Sequence, residues 1–136
     1  MSITIIATDF HKEVMKEMTA AAQAELSKFG VKKVPMVRVL GSFEIPLIAD
    51  KLLAKRGVEA VVVLGFIEKG ETLHGEVMGH TVHSKLLDLG LKYKKPIGFG
   101  IIGPGATLKQ AKARTKSTAR RAVQAVFQSL KALKEI

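Results

Sequence analysis

The sequence predicts an α/β protein, a three-layer sandwich in which a four-stranded parallel sheet carries helices on both faces. Two observations carry this prediction. Apolar, β-branched runs alternate with segments of helical spacing in the order βαβαβαβα, the pattern of parallel strands joined by crossover helices. The polar and aromatic residues of chemical interest also follow the predicted strands, and in open α/β sheets ligands lie beyond the carboxyl ends.

Each element has its own signal. Ile3 to Ala7 is a short apolar run, followed by Thr8 and Asp9 as candidate N-cap oxygens. Val14, Met15, Met18, Ala21, Ala22, Leu26 and Phe29 then recur at helical spacing until Gly30 stops them. Val34 to Leu40 alternates, and Pro35 near its start marks it as an edge strand. Gly41-Ser42-Phe43-Glu44 turns into a helix holding Leu47, Ile48, Leu52, Leu53 and Ala54, closed near Gly57. The run from Ala60 is a buried strand, with Gly65 and Gly70 expected to bracket the turn after it. A helix follows from about Thr72 to Tyr93, carrying Val77, Val82, Leu86, Leu87 and Leu91. Lys94-Lys95-Pro96 breaks that helix, and Ile97 to Ile102 forms the last strand. Gly103-Pro104-Gly105 is expected as a loop, with Thr107 capping the terminal segment. There Ala119, Ala122, Val123, Val126, Phe127, Leu130 and Leu133 form the apolar stripe; the polar stretch Lys112 to Arg121 is expected to break or kink it.

Length and composition bound the function. With 136 residues, 47% of them hydrophobic, residues 1–136 suit one domain with its own core. No apolar run is long enough for a bilayer and no signal peptide precedes the first strand, so a soluble, cytoplasmic protein is expected. Cysteine is absent, which removes disulfides, thiolate nucleophiles and cysteine metal ligands. Asn is absent too, and with abundant Lys this points to a heat-adapted, thermophilic source. The net charge is +10, and Lys109 to Ile136 holds eight basic residues against one acidic. Such a segment could meet nucleic acid, an acidic partner or a phosphorylated small substrate. No aromatic is interleaved with the basic cluster to stack bases, so the expectation is a solvated face carrying one or two functional arginines, with no nucleic-acid or membrane partner.

The third strand and the segment after it carry the chemistry. Backbone N–H groups of Gly70, Glu71 and Thr72 are expected unpaired at a helix start, where the dipole favours a phosphate. An imidazole, His74, able to act as general acid or base, sits one turn in. Gly65-x-x-x-x-Gly70-Glu71-Thr72 imitates a nucleotide-binding loop but has Glu where the phosphate-binding Lys belongs, which excludes a triphosphate in favour of a smaller anion. Gly98-x-Gly100-x-x-Gly103 lies within a strand and has no acidic partner at ribose spacing, so it is no dinucleotide signature. His74, His80 and His83 lack metal-ligand spacing, and His74-Gly75-Glu76 lacks the cysteines of a zinc deaminase; no metal is expected. His11, His80 and His83 read as surface or interface residues. Phe10, Phe43, Phe66 and Phe99 each fall at a predicted strand end and together suit a flat ring ligand. Glu44 on the same rim can accept from hydroxyls, and Arg114 or Arg121 can grip phosphate.

Taken in order, Gly41-Ser42-Phe43-Glu44-Ile45-Pro46, Lys69-Gly70-Glu71-Thr72-Leu73-His74, Pro96-Ile97-Gly98-Phe99-Gly100 and Gln110-Ala111 with Arg114 resemble the lumazine synthase family. The likeness spans essentially the whole chain, and the Gly103-Pro104-Gly105 segment is most similar to archaeal members. The resemblance implies a flavodoxin-like fold and a transferase of riboflavin biosynthesis. That enzyme condenses 5-amino-6-(D-ribitylamino)uracil with 3,4-dihydroxy-2-butanone 4-phosphate, releasing phosphate and water, with no cofactor. It further implies that Phe10 stacks on the pyrimidine, that Ser42, Phe43 and Glu44 line the ribityl and ring site, and that Phe66, Ile67 and Glu68 give backbone contacts. Glu71 and Thr72 would offer amides to phosphate, with His74 as acid/base group. Phe99 and Arg114 would come from a neighbouring subunit, Arg114 against phosphate. Family sites lie between subunits of a homopentamer, which can associate into a decamer or a sixty-subunit shell. Lys69, Leu73 and Gly75 stand where Arg, Thr and an aromatic are usual; Arg121 lies near a family lysine at shorter spacing. The chain begins almost at its first strand, so a pentamer is the expected assembly. The alternatives are an archaeal-type riboflavin synthase acting on lumazine, a basic nucleic-acid-binding protein and a purely structural shell protein.

Overall fold

The computed structural model describes residues 2–136. In chain order it runs β1 (Ser2–Thr8), α1 (Lys12–Lys28), β2 (Met36–Val39), a short 3₁₀ turn (Ser42–Glu44), α2 (Ile45–Leu53), β3 (Val58–Glu68), α3 (His74–Tyr93), β4 (Ile97–Ala106) and α4 (Leu108–Glu135). The four strands pair in parallel in the order β2-β1-β3-β4. This is the expected three-layer α/β sandwich, with the Pro35-flanked strand at an edge.

Successive strand residues point to opposite faces, so each face of the central strands buries its own apolar set. Ile3, Ile5, Val62 and Leu64 pack with Met15, Met18 and Leu26 of α1 and Val123 and Val126 of α4. Ile6, Val61 and Val63 pack with Ile45 and Leu53 of α2 and Val82 and Leu86 of α3. Full burial of one such side chain contributes about 1.5–3 kcal/mol. Polar ties join α1 to α4 as well: Thr115 Oγ1 donates to Glu17 Oε2 at 2.9 Å, and Gln124 Nε2 to Glu25 Oε1 at 3.1 Å.

Several local expectations are corrected. Thr8 and Asp9 do not cap α1: Thr8 is the last residue of β1, paired with Val39, and His11 occupies the N-cap position in the left-handed region with no side-chain cap. Gly65 is not part of a turn, because β3 runs on to Glu68 and pairs Gly65 with Ile101. β4 continues through Gly103-Pro104-Gly105 to Ala106, where Lys69 N–H donates to the Ala106 carbonyl at 2.7 Å. A proline is tolerated there since β4 is an edge strand. α4 is unbroken from Leu108 to Glu135. Through its polar stretch, Ala111, Thr115 and Ala119 stay buried at four-residue spacing while the charged residues face outward. The helix therefore never loses its packed side.

Candidate active site

The strand ends set the site. β1 ends at Thr8 and β2 at Val39, whereas β3 reaches Glu68, so Phe66, Ile67 and Glu68 extend past β1 on one side while β4 still pairs with them on the other. Against this step lie the 3₁₀ turn and the start of α3. The turn closes on itself, with Gly41 N–H donating to Glu44 Oε2 at 2.9 Å. Pro46 in the first turn of α2 then fixes the helix direction, since its missing N–H is not needed there.

Between these elements runs a groove of three cavities with shared walls. The first, about 370 Å³, is lined by Thr8, Phe10, Leu40, Gly41, Ser42, Phe43, Glu44, Phe66 and Met78. The second, about 310 Å³, shares Phe10, Phe66 and Met78 with it and adds Ile67, Glu68, Lys69, Gly70, Thr72, His74 and Gly75. The third, about 260 Å³, follows the loop from Glu68 to Leu73 and is closed by Gly75, Glu76 and Gly105. An apolar, aromatic-walled end thus passes into a polar loop, with His74 between them.

Phe10 is 59% exposed and offers its ring to the groove, while Phe66 is buried beneath. Phe43 lies edge-on to the His74 imidazole, with ring centroids 6.0 Å apart. Thr8 Oγ1 is buried at the cavity floor without a hydrogen-bond partner. Gly65 keeps that floor open: a Cβ there would sit 3.4 Å from both Ser42 Oγ and Thr8.

The helix start differs from expectation. α3 begins at His74, so Gly70, Glu71 and Thr72 belong to the loop ahead of it. Leu73 occupies the N-cap position without a side-chain cap, and Val77 N–H to the Leu73 carbonyl, 3.0 Å, is the first helical bond. The orphan donors at the positive end of the dipole are therefore those of Gly75 and Glu76, with His74 N–H reaching Thr72 Oγ1 at 3.3 Å. Carboxylates of Glu68, Glu71 and Glu76 surround this loop, and Lys69 is the cation among its lining residues. An anion bound there gains from a further positive charge.

Phe99 and Arg114 are not in this chain's groove. Phe99 lies in the body of β4, opposite Val63, and stacks on His83 at 5.8 Å between ring centroids. The four phenylalanines therefore do not share one rim. Arg114 projects from α4, its guanidinium donating to the Gln110 carbonyl at 3.0 Å, and lines none of the three cavities. Arg121 is likewise an exposed residue of α4. Among the described residues no cluster of three or more His, Cys, Asp or Glu is arranged to hold a metal, and no helix is long and apolar enough to cross a membrane.

Three residues of this region escaped the sequence reading. Met78 lines two cavities, and its position one turn after His74 on the same helix face could have revealed it. Thr8 lines the first cavity, but in sequence the last residue of a strand and a helix cap look the same. The sequence marks His11 only as a surface or interface residue, whereas its imidazole is packed against Phe10 and Phe66.

Comparison with known proteins gives the same direction. The sequence model of 6,7-dimethyl-8-ribityllumazine synthase matches residues 1–134. A protein of that name from Aeropyrum pernix is 38% identical over 135 residues, covering 98% of this chain and 92% of its own length. One from Staphylothermus marinus is 37% identical over 134 residues, covering 98% and 89%. One from Methanopyrus kandleri is 38% identical over 132 residues, covering 97% and 93%. With its fold, its groove and near full-length likeness in agreement, this chain belongs to the 6,7-dimethyl-8-ribityllumazine synthase family.

Proposed function

We propose that this protein condenses 5-amino-6-(D-ribitylamino)uracil with 3,4-dihydroxy-2-butanone 4-phosphate to form 6,7-dimethyl-8-ribityllumazine, phosphate and water, as a transferase of riboflavin biosynthesis. The observation that carries this reading is the continuous groove, in which an aromatic-walled cavity meets a loop at a helix N-terminus with His74 at the junction. A flat, polyhydroxylated amine suits the first end and a phosphate ester the second.

In this reading the pyrimidine lies on Phe10. Ser42, Phe43 and Glu44 take the ribityl chain and ring edge, while Phe66, Ile67 and Glu68 contribute main-chain contacts. The loop at Glu71 and Thr72, with the free donors of Gly75 and Glu76, holds the phosphate. The amine adds to the ketone and a first water leaves to give an imine; phosphate elimination leaves an enol that tautomerises to a ketone, and the ribitylamino nitrogen closes the ring on that carbonyl with loss of a second water. His74 moves protons in these steps, an effect typically worth about 10²–10⁴-fold. The amine, the carbonyl and the leaving group all belong to the substrates, so no cofactor is invoked. The larger contribution is holding both reactants in attack geometry.

Phe99 and Arg114 complete the site from a neighbouring subunit. Their position outside this chain's groove supports that arrangement, as does the carboxylate-rich lining of the phosphate loop. A homopentamer is the assembly proposed, with a decamer or sixty-subunit shell as larger possibilities, acting in the cytoplasm as one lumazine-synthase-like domain over residues 1–136.

The direct test is optical: purified protein given both substrates forms lumazine, and gives none with either substrate omitted. Incubation with lumazine alone separates the rival activity, because a riboflavin synthase would turn it into riboflavin. Riboflavin from lumazine, with no lumazine formed from the two precursors, would overturn the proposal.

A further inference from the structure

β1 ends at Thr8 and α1 starts at Lys12, leaving Asp9, Phe10 and His11 to reverse the chain. His11 completes the turn at φ 60° and ψ 74°, a region that His, Asn and Asp visit more readily than other non-glycine residues. This conformation turns the imidazole under the rim. Its centroid lies 4.5 Å from the Phe10 ring, edge-on at 79°, and 4.8 Å from the Phe66 ring. Nε2 is shielded from solvent and lies 3.1 Å from Glu68 Oε1, at an angle that makes no hydrogen bond. Behind the imidazole, a cavity of about 200 Å³ is lined by Lys12, Glu13 and Lys112 on α1 and α4.

Phe10 itself is 59% exposed. A ring that must be ordered when ligand arrives weakens binding, whereas one held beforehand does not. We propose that His11 and Glu68 form a bracket that fixes the Phe10 ring, which makes His11 a positioning residue for the heterocycle. The proposal rests on the condensation reading for the identity of that heterocycle, and on the packing alone for the bracket.

His11→Asn keeps a residue that accepts the left-handed conformation but removes the imidazole; Glu68→Gln keeps the shape but removes the charge. His11→Asn is expected to raise KM for the ribitylaminopyrimidine about fivefold to tenfold, with KM for the butanone phosphate changed less than about twofold. Crystals of His11→Asn are expected to show the Phe10 ring out of its wild-type position. Unchanged KM values with Phe10 in place would overturn the bracket. If His11→Asn fails to fold, Glu68→Gln decides by the same two readouts. If the wild-type protein forms no lumazine, the condensation reading falls, and the position of Phe10 in the two crystals still tests the bracket by itself.

Discussion

Gly79 of α3 lies so close to Pro104 of β4 that a Cβ on Gly79 would sit 2.5 Å from Pro104 Cδ and 2.7 Å from Cγ. The proline ring cannot swing aside, so the helix carrying His74 and Met78 is seated on the edge strand through a missing side chain. Gly79→Ala is expected to destabilise the protein by about 1–3 kcal/mol through overpacking, despite the better helix propensity of alanine. Urea denaturation measures it; an unchanged or higher midpoint would contradict the close seating.

Thr8 Oγ1 is a buried hydroxyl without a partner at the floor of the groove. Leaving such a group unsatisfied costs about 1–3 kcal/mol, and valine has nearly the same shape. Thr8→Val is therefore expected to raise the melting temperature of the ligand-free protein. A lowered melting temperature would mean that the hydroxyl has a stabilising partner after all.

Arg114 and His74 differ in what they supply. Because the chemistry is carried by reactive substrates, His74→Ala is expected to cost no more than about 10²-fold in turnover, the low end for acid/base groups. If Arg114 grips the phosphate as proposed, Arg114→Ala loses charge-assisted bonds worth about 1.5–3 kcal/mol each and is expected to harm turnover more. Steady-state kinetics of the two variants in the reverse order would refute the ranking.

If the site is shared between subunits, the two damaged variants should complement each other. In randomly mixed oligomers of His74→Ala and Arg114→Ala chains, about a quarter of the sites at a head-to-tail interface would hold both native residues. Activity well above that of either variant alone is the expected result. Mixing without recovery would place both residues of each site on one chain.

Glu25 should shape the acid limb of stability. The Gln124 amide and the Lys28 ammonium hold its carboxylate below the ordinary value of 4.5, with the Gln124 hydrogen bond the larger cause. Its folded pKa is depressed, so its stabilisation is complete above that ordinary value and disappears as pH falls through the folded one. Melting temperatures followed from about pH 6 to about pH 3 should fall less steeply in Glu25→Gln than in the wild type. Parallel curves for the two proteins would show that the pair contributes nothing.

Much of the fold is short-range information. The apolar runs of β1 and β3, the helical spacing of Val14 to Leu26, the stop at Gly30 and the edge character beside Pro35 all reflect preferences of a few consecutive residues. The groove's main walls were legible for the same reason: Phe10, Ser42, Phe43, Glu44 and His74 each follow a strand, Phe66 lies near the end of one, and parallel strands put those ends on one side of the sheet.

What the sequence by itself determined is thus the alternation of elements, the side of the sheet on which the groove opens, and the polar loops that line it. Tertiary structure alone decided which side chains meet there. Phe99 left the rim because the register places it opposite Val63, in the body of β4. α4 stayed whole because Ala111, Thr115 and Ala119 are buried at one-turn intervals beneath a charged surface. His11 came to lie behind the groove's aromatic wall because its left-handed backbone turns the ring against Phe10 and Phe66. Propensity and periodicity act over a turn or two of chain, whereas register, strand overhang and packing join residues far apart in sequence, and only the folded chain sets those.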